Sequence, residues 1–156
     1  MPEASSGRPG KSHADDTLIE LECADDQGGT TMIQLDHLIL HVREPAEMVQ
    51  FYGEVLGFTH GGRAEPFEVL RVNEHLTIDL MQAPPGHPQH LAFALEREDF
   101  DAVHQRLIRL GIPYGGTPFD RSSNGPAQTQ GARGMAESIY FYDPDRNNIE
   151  IRCYSS

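Results

Sequence analysis

Cysteine is nearly absent from this chain: Cys23 and Cys153 are its two thiols, too few for a disulfide framework. Basic side chains are scarce too, with 12 Lys and Arg against 24 Asp and Glu and a net charge of -12. That balance excludes broad contact with a nucleic-acid backbone and disfavours an anionic membrane surface. No apolar run approaches the roughly 20 residues that span a bilayer. The opening MPEASSGRPGKSHADD lacks the apolar stretch of a secretory signal, which points to the cytoplasm. Apolar residues make up 38%, lean for a globular chain, and part of the shortfall lies in the polar N-terminus. At 156 residues the chain is too short for a barrel of eight strand–helix units. It is long enough for one compact domain, or for two small modules sharing a core.

Residues 1–31 hold seven acidic side chains against Arg8 and Lys11. They read as an acidic, mostly disordered tail with a short strand at 17–23. From residue 32 the pattern changes. LDHLILHV alternates, with His37, Ile39 and His41 on one face and Leu38, Leu40 and Val42 on the other. A helix follows, with Pro45 near its start and Gly57 at its end, and then strands near 58–61, 67–72 and 76–81. After the turn-rich 83–88 the order repeats. QHLAFAL alternates, a helix ends at Gly111, and strands at 138–142 and 148–154 flank the turn DPDRNN. The Gly-, Ser- and Gln-rich stretch 112–137 reads as a loop over a cleft. The chain is thus expected to be an α+β fold of two tandem βαβββ modules, 32–85 and 88–154, whose curved sheet surrounds a cleft.

Strand parity sets His37, His90 and Glu150 opposite runs of large aliphatics, so these three should line that cleft. Ala92 and Ala94 beside His90 leave room for a ligand. Two imidazoles and a carboxylate form the facial set suited to non-haem Fe(II), and they suit Mn, Ni or Zn as well. His41 shares the face of His37 and reads as a hydrogen-bonded core histidine.

LDHLILHV, FYGEVLGF, QHLAFAL and SIYFYDPDRNNIEIRCY together resemble the vicinal oxygen chelate superfamily, over about residues 33–154. That superfamily includes glyoxalase I, extradiol dioxygenases, fosfomycin-resistance enzymes and bleomycin-binding proteins. The resemblance implies paired βαβββ modules, a homodimer, and a divalent metal, Fe(II) first, on His37, His90 and Glu150. Two details resemble type I extradiol dioxygenases: Tyr140 in I-Y-x-x-D-P before Glu150, and His75 fifteen residues before His90. The implied roles are an acid/base for His75 and a hydrogen bond to substrate for Tyr140.

Two positions depart from that pattern. Arg133 stands where a second histidine is expected; it is permanently charged and either binds a substrate carboxylate or sits on the surface. Arg146 replaces the turn glycine, with Asn147 and Asn148 able to take up a left-handed backbone. The primary expectation is a ring-cleaving dioxygenase of a catechol-like small molecule. One alternative is a glyoxalase-like lyase or isomerase with Asp79 as a fourth ligand. The other is a non-catalytic protein that binds an antibiotic or aromatic ligand.

Overall fold

The computed structural model describes residues 33–84 and 86–154. The acidic tail expected over 1–31 lies outside them. The first module runs β1 (His37–Val42), α1 (Pro45–Leu56), β2 (Thr59–Ala64), β3 (Phe67–Arg71) and β4 (Thr77–Gln82). The second runs β5 (His90–Ala94), α2 (Arg97–Leu110), β6 (Tyr114–Gly115), β7 (Ala127–Gly131), β8 (Gly134–Tyr142) and β9 (Asn148–Cys153).

Local chemistry sets the helix limits. In α1, Pro45 occupies the first turn and Gly57 closes the helix at φ 79°, donating its N–H to Gly53. In α2, Glu98 and Asp99 lie at the positive end of the dipole and Arg109 at the negative end, and Gly111 takes φ 67°. Met48, Tyr52 and Val55 of α1, and Phe100, Val103 and Leu107 of α2, are buried. Their three- and four-residue spacing gives each helix one apolar stripe.

The two sheets share a topology. The first has the order β1-β4-β3-β2, with β1 and β4 parallel. The second has the order β5-β9-β8-β6, with β5 and β9 parallel, and β7 pairs with the other part of β8. The stretch 112–137, expected as a loop, therefore carries β6, β7 and the start of β8. AQTQG of β7 has no branched apolar residue to mark it, and its place comes from its ladder with β8. The nine residues of β8 serve both short strands: β6 pairs at 140–141 and β7 at 134–138.

Both sheets turn their aliphatic faces to one core. Leu40, Val42, Ile78 and Leu80 come from the first, and Ile139, Phe141, Ile149 and Ile151 from the second. Phe58 meets Phe93 edge-on at 5.3 Å, and Phe51 lies 6.3 Å from Phe141. The DPDRNN turn is fixed to the first module: Tyr52 donates to Asp143 at 2.9 Å, and Arg43 donates its side-chain Nε to Asp145 at 2.5 Å. Burial, opposed by bonds from Asn147 and Tyr52, holds the Asp143 carboxyl above its ordinary pKa.

Candidate functional site

Because the apolar faces look inward, the polar face of each sheet looks away from the core. On the second sheet the register lays out three rows. The first is His90, Asn148, Tyr142; the second Ala92, Glu150, Tyr140; the third Ala94, Arg152, Ser138. Alanine at two of the three β5 positions leaves Glu150 and Arg152 uncrowded from that side.

Glu150 is the hub. Only 3% of it is exposed, and both carboxylate oxygens have partners. His90 Nε2 lies 3.0 Å from Oε2. The Tyr140 hydroxyl donates to Oε1 at 2.8 Å, and Arg152 Nη1 donates to the same oxygen. Thr129 Oγ1 sits 3.2 Å from the Tyr140 hydroxyl and donates to Ser138 at 2.8 Å. Burial, and then the bond to Glu150, raise the Tyr140 phenol above its ordinary value, so it remains a donor at neutral pH.

Arg152 makes a buried carboxylate tolerable. It is 5% exposed, and it also donates to the backbone carbonyls of Thr129 at 2.9 Å and Gln130 at 3.3 Å. A buried charge survives only when paired and hydrogen-bonded, and here each ion serves the other. Gly131 permits the approach, because a Cβ there would collide with the Arg152 guanidinium.

Most of the other predicted residues belong to the first module. His37 is half exposed and pairs through Nδ1 with Asp36 at 2.8 Å, a bond that raises its pKa. Asp79 lies on the next strand, opposite Ile39, and accepts from Thr77 at 3.1 Å. His41, expected in the core, is instead exposed, since its strand points it away from the aliphatic face. His75 is exposed in the β3–β4 turn, where its N–H donates to Asn73 Oδ1 at 2.8 Å. Asn73 and Leu76 beside it line a cavity of about 650 Å³ that reaches Ala92 and Ala94. Arg133 lies over the Tyr154 ring at 4.1 Å.

The chain thus joins Glu150 to His90 and Tyr140, while His37 keeps different company. Among the described residues, no three His, Cys, Asp or Glu side chains are grouped closely enough to share a metal. Two members of the network, Arg152 and Thr129, were missed in the sequence. Parity alone could have found Arg152, two residues from Glu150 on one strand; Thr129 gave no signal because its strand read as loop.

Twin βαβββ sheets with a histidine–carboxylate pair on the outward face define the class. The family model described as Glyoxalase/Bleomycin resistance protein/Dioxygenase superfamily matches residues 34–151, and the chain belongs to that family. The family includes metal-dependent enzymes, and its members typically bind divalent metals. Among curated relatives, the chain is 30% identical to Virulence protein STM3117 of Salmonella typhimurium over 130 residues, covering 78% of this chain and 84% of that one. It is also 30% identical to Glutathione transferase FosA of Serratia marcescens, covering 75% and 78%. Among solved structures, Oxidase ChaP-H1 aligns with a TM-score of 0.70 at 26% identity, covering 80% of this chain and 98% of that one.

Proposed function

We propose that the protein is a metal-dependent dioxygenase that opens catechol-like rings, and that it works as a homodimer whose two chains share each site. The observation that carries this reading is the pairing of His90 Nε2 with Glu150 Oε2 at 3.0 Å, with the other Glu150 oxygen already held by Tyr140 and Arg152. A carboxylate fixed through one oxygen is free to ligate through the other, and an imidazole beside it completes two of three donors. The third is His37, exposed on β1, which like β5 is an edge strand, with one side unpaired among the described residues. Pairing β1 of one chain beside β5 of another would bring His37 to His90 and Glu150 twice over, as two-fold symmetry requires. Ile39, half exposed next to His37, would be covered in the process.

Two imidazoles and a carboxylate fit Fe(II), with Mn, Ni or Zn as substitutes. When bound, Fe(II) supplies the Lewis acidity that eases deprotonation of a diol and the redox chemistry that oxygen requires. The chain supplies the rest: Tyr140 keeps Glu150 oriented, Ala92 leaves space above it, and His75 is the acid/base candidate. The relative named an oxidase supports a reaction with oxygen.

Mixing subunits tests the shared site. His37→Ala and His90→Ala proteins should each fail to bind Fe(II) tightly or to consume oxygen with catechols. An equimolar mixture after subunit exchange should recover about one quarter of wild-type activity, because half the dimers are mixed and each holds one intact site. Recovery of nothing would refute the shared site; oxygen uptake that survives in either single variant would refute the ligand set. A second reading draws on Asp79, which shares the polar face of His37. If Asp79→Ala abolishes metal binding and hemithioacetals turn over with Ni or Zn, a lyase or isomerase replaces the dioxygenase.

A further inference from the structure

Beside His90 lies a second cavity, of about 360 Å³, that the ligand set does not explain. Its walls are Pro88, Pro118, Phe119, Tyr142, Asn148 and Arg146, with His90 at one side, and none of them is acidic. Phe119 is 92% exposed, an unusual position for a phenyl ring. Two guanidinium groups lie against the Tyr142 ring, Arg121 at 4.0 Å and Arg146 at 4.3 Å.

The two arginines differ. Arg121 is committed to the scaffold: it donates to the carbonyls of Thr117 and Asp120 and to Asn148 Oδ1. Burial lowers its pKa, and the Arg146 charge adds to that. Asp120 accepts from Ser122 and Asn124, and Asp145, next to Arg146 in the chain, is engaged by Arg43. Arg146 makes neither a side-chain hydrogen bond nor an ion pair among the described residues, in a chain whose net charge is -12. Its backbone also sits at φ 71°, where glycine would rest without strain. Of the DPDRNN turn it is Arg146 itself, and not Asn147 or Asn148, that takes the left-handed conformation. Strain held at a cavity, on a guanidinium that rests on an aromatic ring with its donors unengaged among the described residues, is the pattern of a residue kept for a ligand.

We propose that this cavity binds the carboxylate of an aromatic substrate, with Arg146 as the specificity-determining residue. A guanidinium offers a planar fork that matches a carboxylate through two parallel hydrogen bonds. Phe119, Tyr142 and the two prolines supply flat walls for the ring, and the reacting oxygens then extend past His90 toward Glu150. The inference rests on the reading of His90 and Glu150 as the reacting end, and it narrows the substrate to a carboxylated catechol or a close relative.

The test uses the full-length protein and two probes. Benzoate has no diol and cannot be cleaved, so its binding by calorimetry reports the subsite independently of the reaction. 3,4-Dihydroxybenzoate against catechol reports selectivity in turnover. Wild-type protein should bind benzoate and favour the carboxylated diol in kcat/KM by roughly tenfold. Arg146→Gly should erase both while its melting temperature holds or rises, since the turn loses strain. Arg146→Lys, keeping charge without the fork, should fall between. Arg146-dependent benzoate binding upholds the subsite even if no diol is turned over, and the dioxygenase reading alone then fails. No benzoate binding by the wild type, or equal binding by Arg146→Gly, overturns the subsite even if ring cleavage is observed.

Discussion

Replacing Arg152 by methionine separates a structural ion pair from an incidental one. The Arg152 side chain is 7% exposed and that of Glu150 4%, so neither charge has much access to water. Methionine keeps much of the stem and removes every donor. Glu150 would then be a buried carboxylate held by the neutral Tyr140 hydroxyl and a half-exposed histidine, and the carbonyls of Thr129 and Gln130 would each lose a donor. Breaking a buried pair from one side costs about 3–5 kcal/mol. Each carbonyl adds about 1 kcal/mol where water does not replace the bond. Local relaxation, with the Tyr140 and His90 contacts kept, returns part of this, and we expect a net loss of about 3 kcal/mol, a large share of a domain's ~5–15. Urea unfolding of the wild type, Arg152→Met, Glu150→Gln and the double variant reads both the loss and the coupling. The coupling should be about 2 kcal/mol or more, because glutamine has no charge to strand. Amide exchange should quicken across 127–131, since β7 is tied to β9 through that guanidinium. If Arg152→Met unfolds within about 0.5 kcal/mol of the wild type, or the effects simply add, the pair is incidental and the argument fails.

Two further perturbations follow from the same contacts. Gly131→Ala drives a Cβ into the Arg152 guanidinium and should cost about 1–3 kcal/mol by urea unfolding; a neutral result would mean that β7 yields freely. Tyr52→Phe removes the hydroxyl that donates to Asp143 and should cost about 1–3 kcal/mol at neutral pH. Burial raises the Tyr52 phenol well above its ordinary value, so folding favours the neutral form. That contribution is complete below about pH 10 and is lost as pH climbs through the raised value, so the deficit of the phenylalanine variant should shrink in strong alkali. A deficit that widens there would reverse the sign of the burial argument.

The alternation of HLILHV and HLAFA was legible because one face of each strand meets the core and its side chains obey a period of two. Glu150 was legible for the same reason: Ile149 and Ile151 on either side of it are fully buried. Helix ends were legible in Pro45, Gly57 and Gly111. β7 was hidden because a strand recruited by its neighbour needs no apolar signature of its own. Thr129 was hidden with it. The distribution of the site was hidden for a different reason. Parity says which face a side chain occupies, but it cannot say whether two such faces meet, and here both sheets spend their aliphatic faces on a common core. The turn 143–148 was recognised, yet the residue that bears its strain was misplaced by two asparagines. Asn147 is buried and donates to Asp143 through its backbone N–H and its side chain, and those bonds hold it outside the left-handed region.

The clamp between α1 and the Asp143–Asn147 turn sets a limit on how far the internal repeat can be taken literally. Cut at the linker before β5, the second half would uncover Asp143 and Asp145 on one side and Phe93, Phe141 and Ile149 on another. The first half would be left with Tyr52 and Arg43 holding nothing. Each half has the complete topology of its twin, but neither carries its own counter-charges or the whole of a core. The repeated unit is a unit of chain path rather than of independent existence, and a split at the linker should behave as two fragments that become ordered on meeting.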